Sequence, residues 1–152
     1  MTNLLGERAV NSEVLQFKVR FPESEVARHL MIEKTDPIYE IRHVRYVEEE
    51  PYVIEQMYMP SSLINVLTKE ILDSSIYRYI QEELGYTITS SHKMIRADKL
   101  NPWDGEYPGN EETNPVIEVE QIVFLGNGKP LEYSFSRDRY DKSVFTSVHI
   151  GR

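Results

Sequence analysis

The stretch from Pro37 to Pro60, PIYEIRHVRYVEEEPYVIEQMYMP, constrains the fold more than any other part of this chain. Polar and apolar residues alternate approximately from Ile38 to Val47, the pattern of a half-buried strand. Glu48-Glu49-Glu50-Pro51 reads as a charged turn, and Tyr52–Met59 as a returning strand closed by Pro60. His43 and Arg45 lie two residues apart, so they point to one face, shared with Tyr39, Ile41 and Val47. Two basic groups on a largely apolar face are costly unless something pairs with them. Glu55 on the returning strand is the candidate partner. A three-residue loop over 48–50 sets His43 opposite Glu55; a two-residue loop shifts the register by one and turns Glu55 away. The sequence leaves both open.

The rest of the chain supplies more strands and a few helices. Glu13–Phe21 alternates Val14, Gln16, Lys18 and Arg20 against Leu15, Phe17, Val19 and Phe21, as a strand does. Pro22 opens a short helix with Val26, Ala27 and Leu30 on one side. After the hairpin, Ser61-Ser62 is expected to cap a helical segment reaching about Leu67. Asp73-Ser74-Ser75 is expected to cap a helix over Ile76–Leu84, with Gly85 as its C-cap. Thr87–Leu100 reads as a long strand, and Asn101–Asn114 is too rich in Pro and Gly for regular structure. Pro115–Leu125 and Leu131–Arg137 are strands joined at Asn127-Gly128, a strong hairpin signal, and Val144–Ile150 is a candidate closing strand. Asp36-Pro37-Ile38-Tyr39-Glu40-Ile41 is echoed by Asn114-Pro115-Val116-Ile117-Glu118-Val119. Two similar strand–turn–strand units predict a pseudo-symmetric antiparallel sheet.

Composition narrows the function. The 152 residues carry a net charge of −8, which argues against this chain gripping nucleic-acid phosphates by itself. No apolar run is long enough to span a bilayer and no signal-peptide pattern is present, so no membrane contact is expected. The absence of cysteine fits a cytoplasmic location. His29, His92 and His149 stand among unlike neighbours without metal-ligand spacing, so no metal site is expected; no nucleophile-elbow or P-loop motif is present either.

The order of motifs resembles the UTRA domain, the effector-binding half of HutC-type GntR transcription regulators. Arg45, Pro51, Glu55 and Pro60 fit the first motif of that family, Ser75 and Tyr77 its S-x-Y, and Pro130, Glu132, Ser134, Ser136, Arg139 and Asp141 the last. The resemblance runs from about Leu5 to Ile150. It implies an α+β fold like that of chorismate lyase: a mostly antiparallel sheet flanked by helices. It implies residues 1–8 as the end of a linker and 9–152 as the effector-binding and dimerisation domain. The N-terminal winged helix-turn-helix of the full regulator is missing, so DNA is reached only through that absent part. A homodimer and a small polar effector, commonly a phosphorylated sugar, are implied, with no cofactor.

By the same resemblance the ligand-binding residues are His43, Arg45, Glu55, Ser75, Tyr77, Glu132, Ser134 and Asp138. Arg45 offers a planar fork for phosphate or carboxylate, and Glu55 and Glu132 can accept hydrogen bonds from sugar hydroxyls. His43 stands where relatives often have Arg, and Asp138 where they often have an uncharged group. Plainer readings stand beside these: Ser75 as a helix cap, Tyr77 as core, Glu55 as a cross-strand partner of Arg42 or Arg45, and Arg139 with Asp141 as a structural ion pair. Two other functional classes remain. One is a small lyase-like enzyme, since Arg, Glu and Tyr in one cleft can do acid–base work; the other is a purely structural dimerisation module.

Overall fold

The computed structural model describes residues 10–100, 114–141 and 143–151; the linker expected over 1–8 and the irregular stretch expected from Asn101 lie outside them, save Asn114. In chain order the elements are β1 (Val10–Arg20), α1 (Ser24–Leu30), β2 (Ile38–Val47), β3 (Glu50–Pro60), α2 (Lys69–Asp73) and α3 (Ile76–Arg78), followed by a π-helical turn over Tyr79–Glu83, then β4 (Ile88–Lys99), β5 (Pro115–Leu125) and β6 (Pro130–Arg139). The strands form one sheet in the order β1-β2-β3-β6-β5-β4, antiparallel at every step.

That order realises the echo in the sequence. The β2–β3 and β5–β6 hairpins meet at the central β3–β6 ladder, and the two outer strands β1 and β4 flank them. Glu40 of β2 takes ion pairs from Lys18 and Arg20 of β1, and its counterpart Glu118 of β5 takes one from Arg96 of β4. Glu118 is also held by Arg137, which reaches Asp98 as well, at 2.8 and 3.0 Å. The echoed glutamates thus tie each half of the sheet to its own outer strand.

The two faces are covered differently. On one, Tyr39, Ile41, Met57, Met59 and Leu131 pack against Ile64, Leu67 and Ile80. Ile76, Tyr77, Tyr79 and Leu84 close over them half-buried. On the other face α1 presses Val26 and Leu30 onto Ile38 and Tyr133. The helix ends at Met31, whose left-handed φ of 56° lets its N–H return to Ala27 and Arg28. His29 of α1 stacks on the Tyr133 ring at 4.2 Å between centroids.

Three local expectations change. No helix runs through residues 61–67; the Ser61 hydroxyl donates instead to the Pro37 carbonyl at 2.9 Å, tying a turn to the start of β2. The helix starts after Thr68, whose side chain accepts from Ile71 N. The helix expected over Ile76–Leu84 widens into a π turn after Arg78, with Leu84 N–H bonded to the Tyr79 carbonyl, before Gly85 ends it at φ 73°. Val144–Ile150 forms no strand within this chain.

Candidate functional site

The tip of the first hairpin decides what the site contains. Val47 pairs with Glu50, so the loop is only Glu48-Glu49, both at positive φ (51° and 69°). A two-residue loop with regular pairing would turn Glu55 from His43. The register shifts between Arg45 and Tyr46, however: Tyr46 faces Pro51 while Arg45 faces Val53. Tyr52 is therefore an extra residue, a β-bulge. It restores His43 to a position opposite Glu55. The loop is the shorter of the two the sequence allows, with the outcome of the longer one.

Register carries the arrangement across the sheet. Glu55 faces Ser136, which faces Val119; Ser134 faces Gln121, which faces Lys93; and Val53 faces Asp138. All of these but Asp138 line a cavity of about 180 Å³, with Tyr77 of α3 on one side. Its wall includes Arg45, Glu55, Tyr77 and Ser134 among the expected residues, and Tyr52, Lys93, Gln121 and Ser136 besides.

Glu55 is the centre of charge. Its two oxygens lie 3.2 Å from His43 Nε2 and 2.9 Å from Arg45 Nε. These are ion-pair distances, although the N–H groups do not point along them well enough to make hydrogen bonds. Burial works to raise the Glu55 carboxyl, but the close contact with His43 and then the Arg45 charge outweigh it and hold it below the usual carboxylate range. Arg45 keeps a side chain 42% exposed, so it can reach a ligand as well as Glu55.

Glu132 lies beneath the wall, 1% exposed. It accepts from the Tyr77 hydroxyl and the Ser134 hydroxyl, each at 2.7 Å, and from Gln121 Nε2 at 3.4 Å. Burial raises its carboxyl above the usual range, against the pull of those donors. The Tyr77 hydroxyl is pushed up too, by burial and then by the Glu132 charge. Because both hydroxyls spend their hydrogens on Glu132, they present lone pairs to the cavity. Arg45 and Lys93 can only donate. The wall thus has an accepting side and a cationic side.

Asp138 is fully buried, with one oxygen accepting from Ser143 at 3.1 Å and the other without a hydrogen-bond partner among the described residues. Burial, opposed chiefly by the Ser143 hydroxyl, pushes its carboxyl up to about 6. His43, Glu132 and Asp138 support the wall without forming part of it. Ser75 does not enter the cavity; it borders a separate surface hollow with Arg78 and Glu82, and its hydroxyl caps α3 by accepting from Arg78 N. Arg139 and Asp141 form the bidentate pair expected of them, at 3.0 and 2.8 Å.

Lys93, Gln121, Ser136 and Tyr52 were not among the expected site residues. Ser136 shares the face of Ser134 by simple alternation, so its signal was present. Gln121 and Lys93 enter through the β4–β5–β6 register, and Tyr52 through the bulge; neither has a local sequence signature. Among the described residues no cluster of His, Asp and Glu is arranged to hold a metal ion, and no helix is long and apolar enough to cross a membrane.

The profile of the UTRA domain matches residues 6–143. The HTH-type transcriptional regulator GmuR of Bacillus subtilis is 45% identical over 152 residues, which is all of this chain and 64% of that protein. The crystal structure of the possible transcriptional regulator YydK from Bacillus subtilis superposes with a TM-score of 0.89 at 34% identity, covering 96% of this chain and 64% of that one. The effector-binding domain of the B. subtilis trehalose repressor TreR superposes at 0.81 with 29% identity, over 93% of this chain and 99% of that one. The chain thus spans less than two thirds of the full length of GmuR. These relatives are transcriptional regulators, not enzymes, and the YydK and TreR structures share the α+β arrangement seen here.

Proposed function

The chain belongs to the UTRA domain family, and from that premise we propose that it is the sensor of a GntR-type transcription regulator that binds a phosphorylated sugar and sets operator affinity through it. The observation that carries the ligand class is the two-sided wall. Arg45 and Lys93 suit a phosphate, while the outward lone pairs of Tyr77 and Ser134 suit sugar hydroxyls. The structural likeness to TreR, a trehalose repressor, supports a sugar-related effector. The intact regulator acts in the cytoplasm as a homodimer and touches DNA through a winged helix-turn-helix preceding this domain. Effector binding shifts the balance between two dimer arrangements and so changes the spacing of the DNA-binding heads.

One observation favours a second ligand class. Glu55 already balances His43 and Arg45, and Glu132 and Asp138 add carboxyl groups beneath the wall. An unphosphorylated sugar fits that charge balance better than a dianion does.

The test is calorimetry and thermal stability of the 152-residue chain against hexose phosphates, disaccharide phosphates and their parent sugars. A ligand at 100 times its dissociation constant adds about 2.7 kcal/mol of stability. Binding of a phosphosugar but not its parent, lost in Arg45→Ala, is the expected result. Equal binding by folded Arg45→Ala overturns the role of Arg45. Binding of the parent sugar alone moves the reading to the second class.

A further inference from the structure

Residues 144–150 have the make-up of a strand and no sheet to join. Val144, Thr146, Val148 and Ile150 place a β-branched side chain at every second position, the residue type and spacing that suit a pleated strand. Yet no residue from 143 to 151 lies in a strand of this chain. Val148 and Ile150 are 87% and 81% exposed. The tail leaves β6 in the middle of the sheet, with β5 between it and the outer strand β4, so it exits past the end of the sheet and not along an edge.

The sheet offers two outer edges, and they are unlike. The β1 ladder is broken by a bulge between Val14 and Gln16. Bulges blunt an edge against further pairing. The β4 ladder has its own shift, but near its start, between Ile88 and Ser90, and from Ser90 to Lys99 it runs unbroken, longer than the tail. Every residue of β4 from Thr89 to Lys99 is exposed, including Met94 at 43% and Ile95 at 53%. Among the described residues nothing pairs with its outer side. A long, regular edge with apolar side chains in water is a template for another strand.

We propose that residues 144–150 of one copy of this chain add as a strand to the outer edge of β4 in a second copy, with the exchange made in both directions. Reciprocal addition closes a two-fold dimer and leaves no strand unpaired. The main-chain bonds supply attraction, and Val148 and Ile150 leave water against the exposed face of β4. The inference rests on the two-copy assembly proposed above and goes further by naming the segment and the edge that build it. It also gives β4 a link to the ligand, because Lys93 on that strand lines the cavity.

The experiment is sedimentation of the 152-residue chain over a concentration series, with hydrogen exchange read on the tail, β1 and β4. Ser147→Pro and Val148→Pro are the variants. Successive N–H groups of a strand point to opposite sides, so one of the two removes a donor from the added ladder. Neither lies in a strand or helix within this chain. Circular dichroism and the melting transition of each variant report that the single-copy fold is intact. The expected result is a dimer whose tail and β4 amides are protected, and a dissociation constant at least tenfold higher in one proline variant, with protection lost at β4. A dimer that both variants leave unchanged overturns the exchange and keeps the two-copy assembly. Protection at β1 in place of β4 overturns the choice of edge. A chain that stays monomeric at every concentration overturns both the exchange and the two-copy assembly.

Discussion

His43 Nε2 stands 3.2 Å from Glu55 Oε2, on the carboxylate oxygen that Arg45 does not approach. One carboxylate therefore holds two basic groups in place at the cavity edge. Glu55→Gln leaves His43 and Arg45 uncompensated, and the expected cost at pH 7 is about 1–3 kcal/mol in urea unfolding, less than a fully buried pair because Arg45 is part-exposed. The sign with pH follows from the lowered carboxyl of Glu55. Its contribution is present above the unfolded value near 4.3 and disappears as pH falls through the folded value. Variant and wild type should converge in strongly acid solution; a constant gap down to pH 2 would contradict the ion-pair origin.

Asp138 works the other way. Its folded value of about 6 lies above the unfolded value. The native state then binds more protons than the unfolded one between about pH 4 and 6, so this group makes the protein less stable as pH rises through that window. Asp138→Asn should be more stable than wild type at pH 7 by about 1–3 kcal/mol, and the gain should shrink to nothing near pH 4. Urea midpoints at the two pH values decide the matter.

Arg137 and Arg96 share Glu118 but not its surroundings. The Arg137 side chain is 5% exposed and that of Arg96 is 40% exposed. Arg137→Ala removes the buried partner of Glu118, leaves it only the part-exposed Arg96, and breaks the bond to the Lys99 carbonyl, so a loss of about 3 kcal/mol is expected. Arg96→Ala should cost far less, since an exposed pair is screened. Equal losses in the two denaturation curves would refute the difference in burial as its cause.

Glu48 and Glu49 both sit in the left-handed region where a side chain crowds the backbone. Glu49→Gly should raise stability by about 1 kcal/mol without moving the bulge. The change also removes one of three adjacent like charges. Ligand affinity should be unaltered, which titration of the variant would show.

The sequence announced the sheet through alternation and through the echo of residues 36–41 at 114–119, because period and repeat are local properties. It offered Glu55 as a partner of Arg45 through the hairpin, and brought Tyr77 and Ser134 to the same site only by resemblance. What it hid was arithmetic between distant strands. Lys93 meets the cavity because of where β4 begins to pair, and Tyr52 because of a bulge that no residue type demands. Ser75 was legible as a cap, and capping is what its hydroxyl does. The helix expected after Ser61 failed because a serine can serve a turn as readily as a helix. The strand over Val144–Ile150 had the right residues and no pairing strand among the described residues.

The central ladder is the shortest in the sheet: β3 and β6 pair only from Val53 with Asp138 to Tyr58 with Tyr133. β2 and β3, by contrast, stay paired from Ile38 with Pro60 to Val47 with Glu50. The domain is thus two sturdy three-stranded plates joined along a fault line. The cavity lies across that line, with Glu55 on one plate and Ser134 and Ser136 on the other. A molecule bound there acts as a rivet, holding the plates together where the backbone holds them least. It should resist their parting far more than it resists fraying within either plate.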